Sequence, residues 1–270
     1  MPAPADQASL LDILAPLRAD PSRSAILLDV DGTLAPIVRH AEDAHVPEPT
    51  RAPLIQVAKR YGLVACVSGR QAATARQIVS IGSIAYVGNH GSELLRPGQA
   101  ETEVEPDVAA YGRRVQAFAK RSWTEELHRL RVRAEDKELI AAYHWRGSPD
   151  DAAAEAAVRE IAAAAEAEGL ATHWGRKVLE VRPPVAMDKG RGIHRLLRGT
   201  DLDAALYVGD DMTDLDAFRV LRAEVAAGGL RSALCVGVAS DETPEPLATE
   251  ADTLVDGPKG VRELLQALID

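Results

Sequence analysis

An α/β fold, with a parallel sheet covered on both faces and a smaller α+β domain inserted into it, is predicted for this chain of 270 residues. Three observations predict it. Short continuous apolar runs alternate with helical patterns near both ends of the chain. Several runs end in turns rich in Asp, Gly and Ser. The stretch from about residue 98 to residue 184 loses that rhythm. The expected division is therefore core over 1–97, inserted cap domain over 98–184, and core again over 185–270.

The first expected helix runs from Gln7 to Arg18, with Leu10, Leu11, Ile13, Leu14 and Leu17 on one face. After Pro21, the run Ala25-Ile26-Leu27-Leu28-Asp29-Val30 reads as a strand buried on both faces, closed by an Asp-Gly-Thr turn. A helix over about 50–60 precedes a second strand, Leu63–Val67, which closes in Ser68-Gly69-Arg70. A helix over about 72–79 leads to a third strand, Ile84–Val87, ending in Gly88-Asn89-His90-Gly91. Far downstream, Ala204–Val208 ends in Gly209-Asp210-Asp211, with a helix from about Asp214. Leu234–Val238 and Thr253–Val255 complete the set.

The inserted segment offers a charged helix over about 107–130, strands near Arg131–Glu135 and Leu139–Trp145, an Ala-rich helix over 150–168, and strands at 171–174 and 177–182. Mixed polarity on these strands predicts a sheet with one solvated face. Ala is the best helix former, so the Ala-rich stretch needs no further explanation.

Composition narrows the function classes. With 31 basic and 41 acidic residues the formal charge is −10, which disfavours nucleic acid and anionic membrane surfaces as partners. Hydrophobic residues make up 46% of the chain, enough for a sizeable core. Cys66 and Cys235 lie in apolar runs and form no CxxC pair, so both are expected as buried thiols. Neither a signal-peptide pattern nor a membrane-length apolar run is evident, and a reducing cytoplasm is the expected location. The sequence leaves the oligomeric state open.

The strongest chemical signal is Asp29-Val30-Asp31-Gly32-Thr33, at the carboxyl end of a buried strand, where open α/β sheets bind ligands. Asp29 can attack phosphorus. Asp31 is placed to protonate a leaving oxygen and later activate water. Thr33 can offer its hydroxyl or amide to a phosphate. At other strand ends, Ser68 can donate to a phosphoryl oxygen, beside Gly69 and Arg70, and Lys189 supplies a fixed cation near a helix start. Gly209-Asp210-Asp211-Met212-Thr213-Asp214 gathers carboxylates of the hard kind that suit Mg²⁺. For each residue a plainer role also exists: a helix cap for Ser68, a solvated first-turn lysine for Lys189, and dipole stabilisation for Asp214.

Together, Asp29–Thr33, Ser68–Arg70, Lys189 and Gly209–Asp211 resemble the four motifs of the phosphatase branch of the haloacid dehalogenase superfamily. The resemblance implies a Rossmann-like core and Mg²⁺ held by Asp29, the backbone carbonyl of Asp31, and Asp210, with Asp214 orienting the metal shell. The insert resembles that superfamily's C2-type cap. Gly88–Glu93, Glu135-Asp136-Lys137, Tyr143–Arg146, Gly175–Pro183 and Gly209–Asp214 further resemble trehalose-6-phosphate phosphatases. Trp145 departs from that pattern, which has a tyrosine–arginine continuation there. In that family the residues matching Glu135, Lys137 and Glu180 hold the disaccharide, and the loop of His90 lies beside the same pocket.

The residues themselves leave alternatives open. Polar candidates in the insert are Glu135, Lys137, His144, Arg176, Lys177 and Glu180, apt partners for sugar hydroxyls. A small-molecule sugar phosphate is the expected substrate class. A mannosyl- or glucosyl-3-phosphoglycerate or sucrose 6-phosphate would suit the same core motifs. A non-catalytic sugar-phosphate sensor or phospho-acceptor domain is a third reading, disfavoured by Asp31, because receiver domains lack a second aspartate two residues after the first.

Overall fold

The computed structural model describes residues 7–38, 41–241 and 243–270. In chain order, these form α1 (Gln7–Ile13), α2 (Ala15–Ala19), β1 (Ser24–Asp29), α3 (Glu48–Arg60), β2 (Leu63–Val67), α4 (Ala72–Val79), β3 (Ala85–Gly88), β4 (Glu93–Leu95) and β5 (Glu103–Val104). There follow α5 (Pro106–Ser122), α6 (Glu125–Arg129), β6 (Arg133–Asp136), β7 (Ala141–His144), α7 (Asp151–Ala167), β8 (Ala171–Gly175) and β9 (Val178–Arg182). The chain ends with α8 (Lys189–Leu197), β10 (Ala204–Gly209), α9 (Asp214–Ala226), β11 (Ser232–Ala239), α10 (Glu245–Glu250), β12 (Thr253–Asp256) and α11 (Gly257–Ile269).

Two compact units result, Met1–Glu103 with Met187–Asp270, and Val104–Ala186. The divisions fall after Glu103 and Ala186, a few residues beyond the expected 97 and 184.

The first unit is built on a sheet of order β12-β11-β10-β1-β2-β3-β4-β5. The six strands from β12 to β3 pair in parallel. Side chains alternate across a strand. Ile26 and Leu28 of β1 thus enter one apolar cluster, with Leu14, Leu54 and Leu264, while Ala25 and Leu27 enter the opposite one, with Ile193, Tyr207 and Phe218. This double burial is why β1 reads as an unbroken apolar run.

Several expectations need correction. The first helix is interrupted at Leu14, because Pro16 has no N–H to continue the ladder. The charged helix of the insert divides into α5 and α6, because Thr124 caps a new helix by accepting from Leu127 N at 3.3 Å. The sheet is not wholly parallel: β4 runs antiparallel to β3. The short link between them is far too brief for a parallel crossover. Strands β4 and β5 and helices α10 and α11 add to the expected elements; in α11, Val261, Leu264, Leu265 and Leu268 show helical spacing and are buried.

The second unit is a four-stranded antiparallel sheet, β6-β7-β9-β8. Tyr143, Leu179 and Val181 join Val115, Val158 and Ile161 of α5 and α7 in its core. Trp145 belongs to that core as well.

Helix α8 approaches β3 more closely than any side chain would allow. A Cβ on Gly192 would lie 2.4 Å from Val87 Cγ1 and 2.6 Å from the Gly91 backbone. Gly192→Ala is expected to cost about 1–3 kcal/mol by overpacking, read as a lowered midpoint in thermal or urea unfolding.

Candidate active site

In the parallel part of the sheet, β10, β1, β2 and β3 are consecutive neighbours. Their carboxyl ends therefore share one edge. Asp29 stands level with Val67, the residue before Ser68, and Leu28 stands level with Val208, two residues before Asp210. The motifs were legible separately in the sequence, and this register joins them.

Lys189 is the first residue of α8 and is 3% exposed. Asp188 caps the helix by accepting from Arg191 N at 2.8 Å. Lys189 Nζ donates to Asp29 Oδ1 at 2.7 Å and to Asp214 Oδ1 at 2.6 Å. Burial opposes the lysine's charge, yet Asp214 and Asp29 outweigh it and hold its pKa above the ordinary value.

Asp214 is fully buried, and its carboxylate accepts four hydrogen bonds. Oδ1 takes Lys189 and the Tyr207 hydroxyl (2.6 Å), and Oδ2 takes the amides of Asp210 and Asp211, each at 2.9 Å. These donors match the roughly four lone-pair sites of a carboxylate. Asp214 thereby fixes the turn that carries Asp210. Tyr207 was missed by sequence reasoning. Its strand run reads as core, and nothing local marks its hydroxyl.

Gly32 has φ of +90°, a left-handed conformation suited to glycine, and a Cβ there would fall 2.0 Å from Asp210 Oδ2. The Asp29–Thr33 turn and the Asp210 turn thus lie against one another, and Thr33 donates its hydroxyl to Asp210 Oδ1 at 3.3 Å. Oxygens of Asp29, Asp210 and Asp214 lie within 4.8 Å of one another. Burial pushes the Asp29 carboxyl well above the usual range, partly countered by Lys189, with Asp214 and Asp210 adding repulsion. Burial, then Asp214, push Asp210 up to about 6. Three carboxylates facing one ammonium leave an excess of negative charge, and hard oxygen donors at this spacing fit a divalent cation.

The remaining core candidates gather at the same edge. Asp31 is held by a bidentate pair with Arg70, Nε to Oδ2 and Nη2 to Oδ1, both 2.7 Å. Ser68 is 1% exposed, and its Oγ accepts from Arg70 N at 3.1 Å. It does not cap α4. The buried carboxylate of Glu93 does so, accepting from Ala72 N at 2.8 Å. His90 adopts φ of +51°, and its ring lies beside Gly69, where a Cβ would come within 2.7 Å of His90 Cε1.

In the second unit, Glu135, Ala142, Glu180 and His173 are cross-strand neighbours along one row. Glu135 pairs with His144 Nε2 at 2.9 Å, and this bond, with Lys137, lowers its pKa. Lys137 Nζ donates to Glu180 Oε1 at 2.8 Å, and Arg182 Nε donates to Glu180 Oε2 at 2.9 Å. Burial alone would raise the Glu180 pKa, but Lys137 and Arg182 bring it to about 2. Arg182 was not singled out from sequence, though the two-residue spacing from Glu180 puts it on the same face. Arg176 and Lys177 form the β8–β9 turn instead, and Lys177 pairs with Asp151 at 2.5 Å.

The architecture defines a class first. A haloacid dehalogenase-like hydrolase from Bacteroides thetaiotaomicron superposes with a TM-score of 0.60 at 15% identity, over 90% of this chain and 98% of the other. The C-terminal domain of C. albicans trehalose-6-phosphate phosphatase reaches 0.73 at 21% identity, over 100% and 98%. These likenesses establish the fold. Residues 27–251 match the trehalose-phosphatase family, and the chain belongs to it. The trehalose-phosphate phosphatase of Mycobacterium avium is 31% identical over 91% of this chain and 62% of its own length. A protein of Mycobacterium tuberculosis named as an uncharacterized glycosyl hydrolase is 34% identical over 74% of this chain, which spans 15% of that protein.

Two predictions follow from this geometry. Tyr207→Phe removes one of the four donors to Asp214 and is expected to cost about 1.5–3 kcal/mol in chemical denaturation. The second concerns pH. Asp210 binds its proton more tightly when folded than its ordinary value of 3.8 would give, so the stability it lends is full below that value and is lost as pH rises through about 6. Through this group the metal-free protein is expected to melt lower at about pH 8 than at about pH 5, and an added divalent cation to raise the midpoint more at the higher pH.

Proposed function

We propose that this chain is a Mg²⁺-dependent phosphatase that hydrolyses trehalose 6-phosphate to trehalose and phosphate through an aspartyl-phosphate on Asp29. The observation that carries the proposal is the buried Asp29–Lys189–Asp214 chain, with Asp210 beside it. Family membership over residues 27–251 supports the substrate. Asp29 and Asp210, with the Asp31 carbonyl, would hold the cation, and Asp214 would orient them. The cation would screen the phosphate's charge from the carboxylates.

Asp29 uses a carboxylate oxygen to attack phosphorus as the bond from phosphorus to the sugar oxygen breaks. Asp31 gives its proton to that departing oxygen, releasing the sugar. Water then attacks the aspartyl-phosphate, Asp31 takes its proton, and the bond from phosphorus to Asp29 breaks. For this, Asp31 must turn from its pair with Arg70 toward the reacting oxygens. Lys189 holds Asp29 in place and offsets negative charge on the transferring group. Ser68, Thr33, Gly69 and Arg70 line the phosphoryl side. Glu135, Lys137 and Glu180 of the second unit, with His90 of the first, are proposed contacts for the sugar hydroxyls. A cytoplasmic location is proposed with this role. Among the described residues, no helix is long and apolar enough to cross a membrane.

Phosphate release across a panel of sugar phosphates tests the substrate. Trehalose 6-phosphate is expected to be the fastest, and brisk release from a glycosyl phosphoglycerate with none from trehalose 6-phosphate would overturn it. Asp29→Asn is expected to abolish turnover. Asp31→Asn is expected to slow both phosphorylation and hydrolysis by about 10²–10⁴-fold with an unchanged circular dichroism spectrum. Near-normal rates in that variant would remove its acid/base role.

A further inference from the structure

The second unit carries a pocket that the phosphatase reading does not use. Its volume is about 600 Å³, and its walls include Trp145, Trp174, Asp151, Glu155, Arg159 and Lys177. All of these lie within Val104–Ala186.

The pocket lies on the opposite face of the sheet from Glu135 and Glu180. Trp174 stands across from Leu179, and Leu179 across from Tyr143, so these three share the helix-covered face. Glu180 is the next residue and points the other way, with His173 and Ala142. Helix α7 supplies Asp151, Glu155 and Arg159 at four-residue steps, which line up along one stripe.

Two indoles form the apolar wall. Trp145 is 4% exposed and meets Trp174 edge-on, with ring centroids 6.1 Å apart and planes at 77°. Trp174 is 38% exposed, and the Arg159 guanidinium lies 5.0 Å from its ring centroid. The polar walls are two ion pairs, Asp151 with Lys177 and Glu155 with Arg159. Two acids and two bases leave this lining with no net formal charge. An anionic ligand would meet the carboxylates, and a cationic one the arginine and lysine. A purely apolar ligand would strip water from four charged groups and give nothing in return. A neutral ring rich in hydroxyls does neither. Its C–H groups suit the partly exposed indole of Trp174, and its hydroxyls can donate to carboxylates and accept from Arg159 and Lys177. Exposed ion pairs hold little free energy and re-pair readily with such groups.

We infer that this pocket is an accessory binding site for neutral pyranosides, built on the face of the inserted sheet opposite the Glu135–Glu180 row. The affinity expected of so open a site is about millimolar. The site does not depend on the phosphatase reading.

The chain has three tryptophans, so indole N–H signals of the isotope-labelled full chain report on the pocket directly. Titration with methyl glucoside is expected to shift the Trp145 and Trp174 signals saturably and leave that of Trp123 in place. Asp151→Asn, at an exposed position, is expected to weaken the titration several-fold, and Trp174→Ala to abolish the Trp145 shift. Glu135→Gln, on the other face, is expected to leave the titration unchanged. The inference is overturned if no saturable shift occurs, if Trp123 shifts equally, if Asp151→Asn titrates as the parent does, or if Glu135→Gln removes the effect.

Discussion

Everything at the candidate site depends on one buried ammonium group shared between two carboxylates. Lys189 sits between Asp29 and Asp214, almost wholly out of water. Charges at such depth persist only when paired and hydrogen-bonded. Asp214 meets that demand with four donors, and in doing so fixes the turn that carries Asp210. The surplus of negative charge left around Asp29 and Asp210 is what a divalent cation would neutralise.

Much of the backbone exists to make that pairing possible. Parallel strands β10, β1, β2 and β3 deliver their carboxyl ends to one edge, as open α/β sheets do at ligand sites. Glycines at 190 and 192 let α8 settle against its neighbours, with Lys189 at its inner end. Gly32 leaves the space into which Asp210 reaches. Support on the other side comes from Glu93, whose carboxylate caps the start of α4 without help from Ser68 and so leaves that hydroxyl at the site's edge.

The second unit follows a different economy of burial. One face of its sheet is covered by α5 and α7, and the other presents Glu135, Lys137, His144, Glu180 and Arg182 as paired charges. Such an array orders hydrogen-bonding groups in both polarities, which suits hydroxyl recognition. Trp145 works on the covered face, packed with the core, so its departure from the family pattern concerns packing there.

By itself, the sequence determined the parallel core, the position of the insert, and the chemical groups of the candidate site. Runs such as Ala25–Leu28, short and closed by turns, read as strands buried on two faces, and the Asp-, Ser- and Gly-rich turns after them stand out by composition. It also placed Glu135 and Glu180 on their strands. Only the tertiary structure decided who pairs with whom. The Asp31–Arg70 fork, the Glu180–Arg182 pair, the Tyr207 hydroxyl on Asp214 and the reversal into β4 each join residues whose local signals are weak or ambiguous. Apart from the family resemblance, local sequence marks Asp214 only as an acidic helix start, and Tyr207 only as another core aromatic. Their meeting, like that of Lys189 with Asp29 from 160 residues away, is fixed by strand register and helix packing. Periodicity reports which face a residue occupies, but the partner it finds there is set by how the layers close.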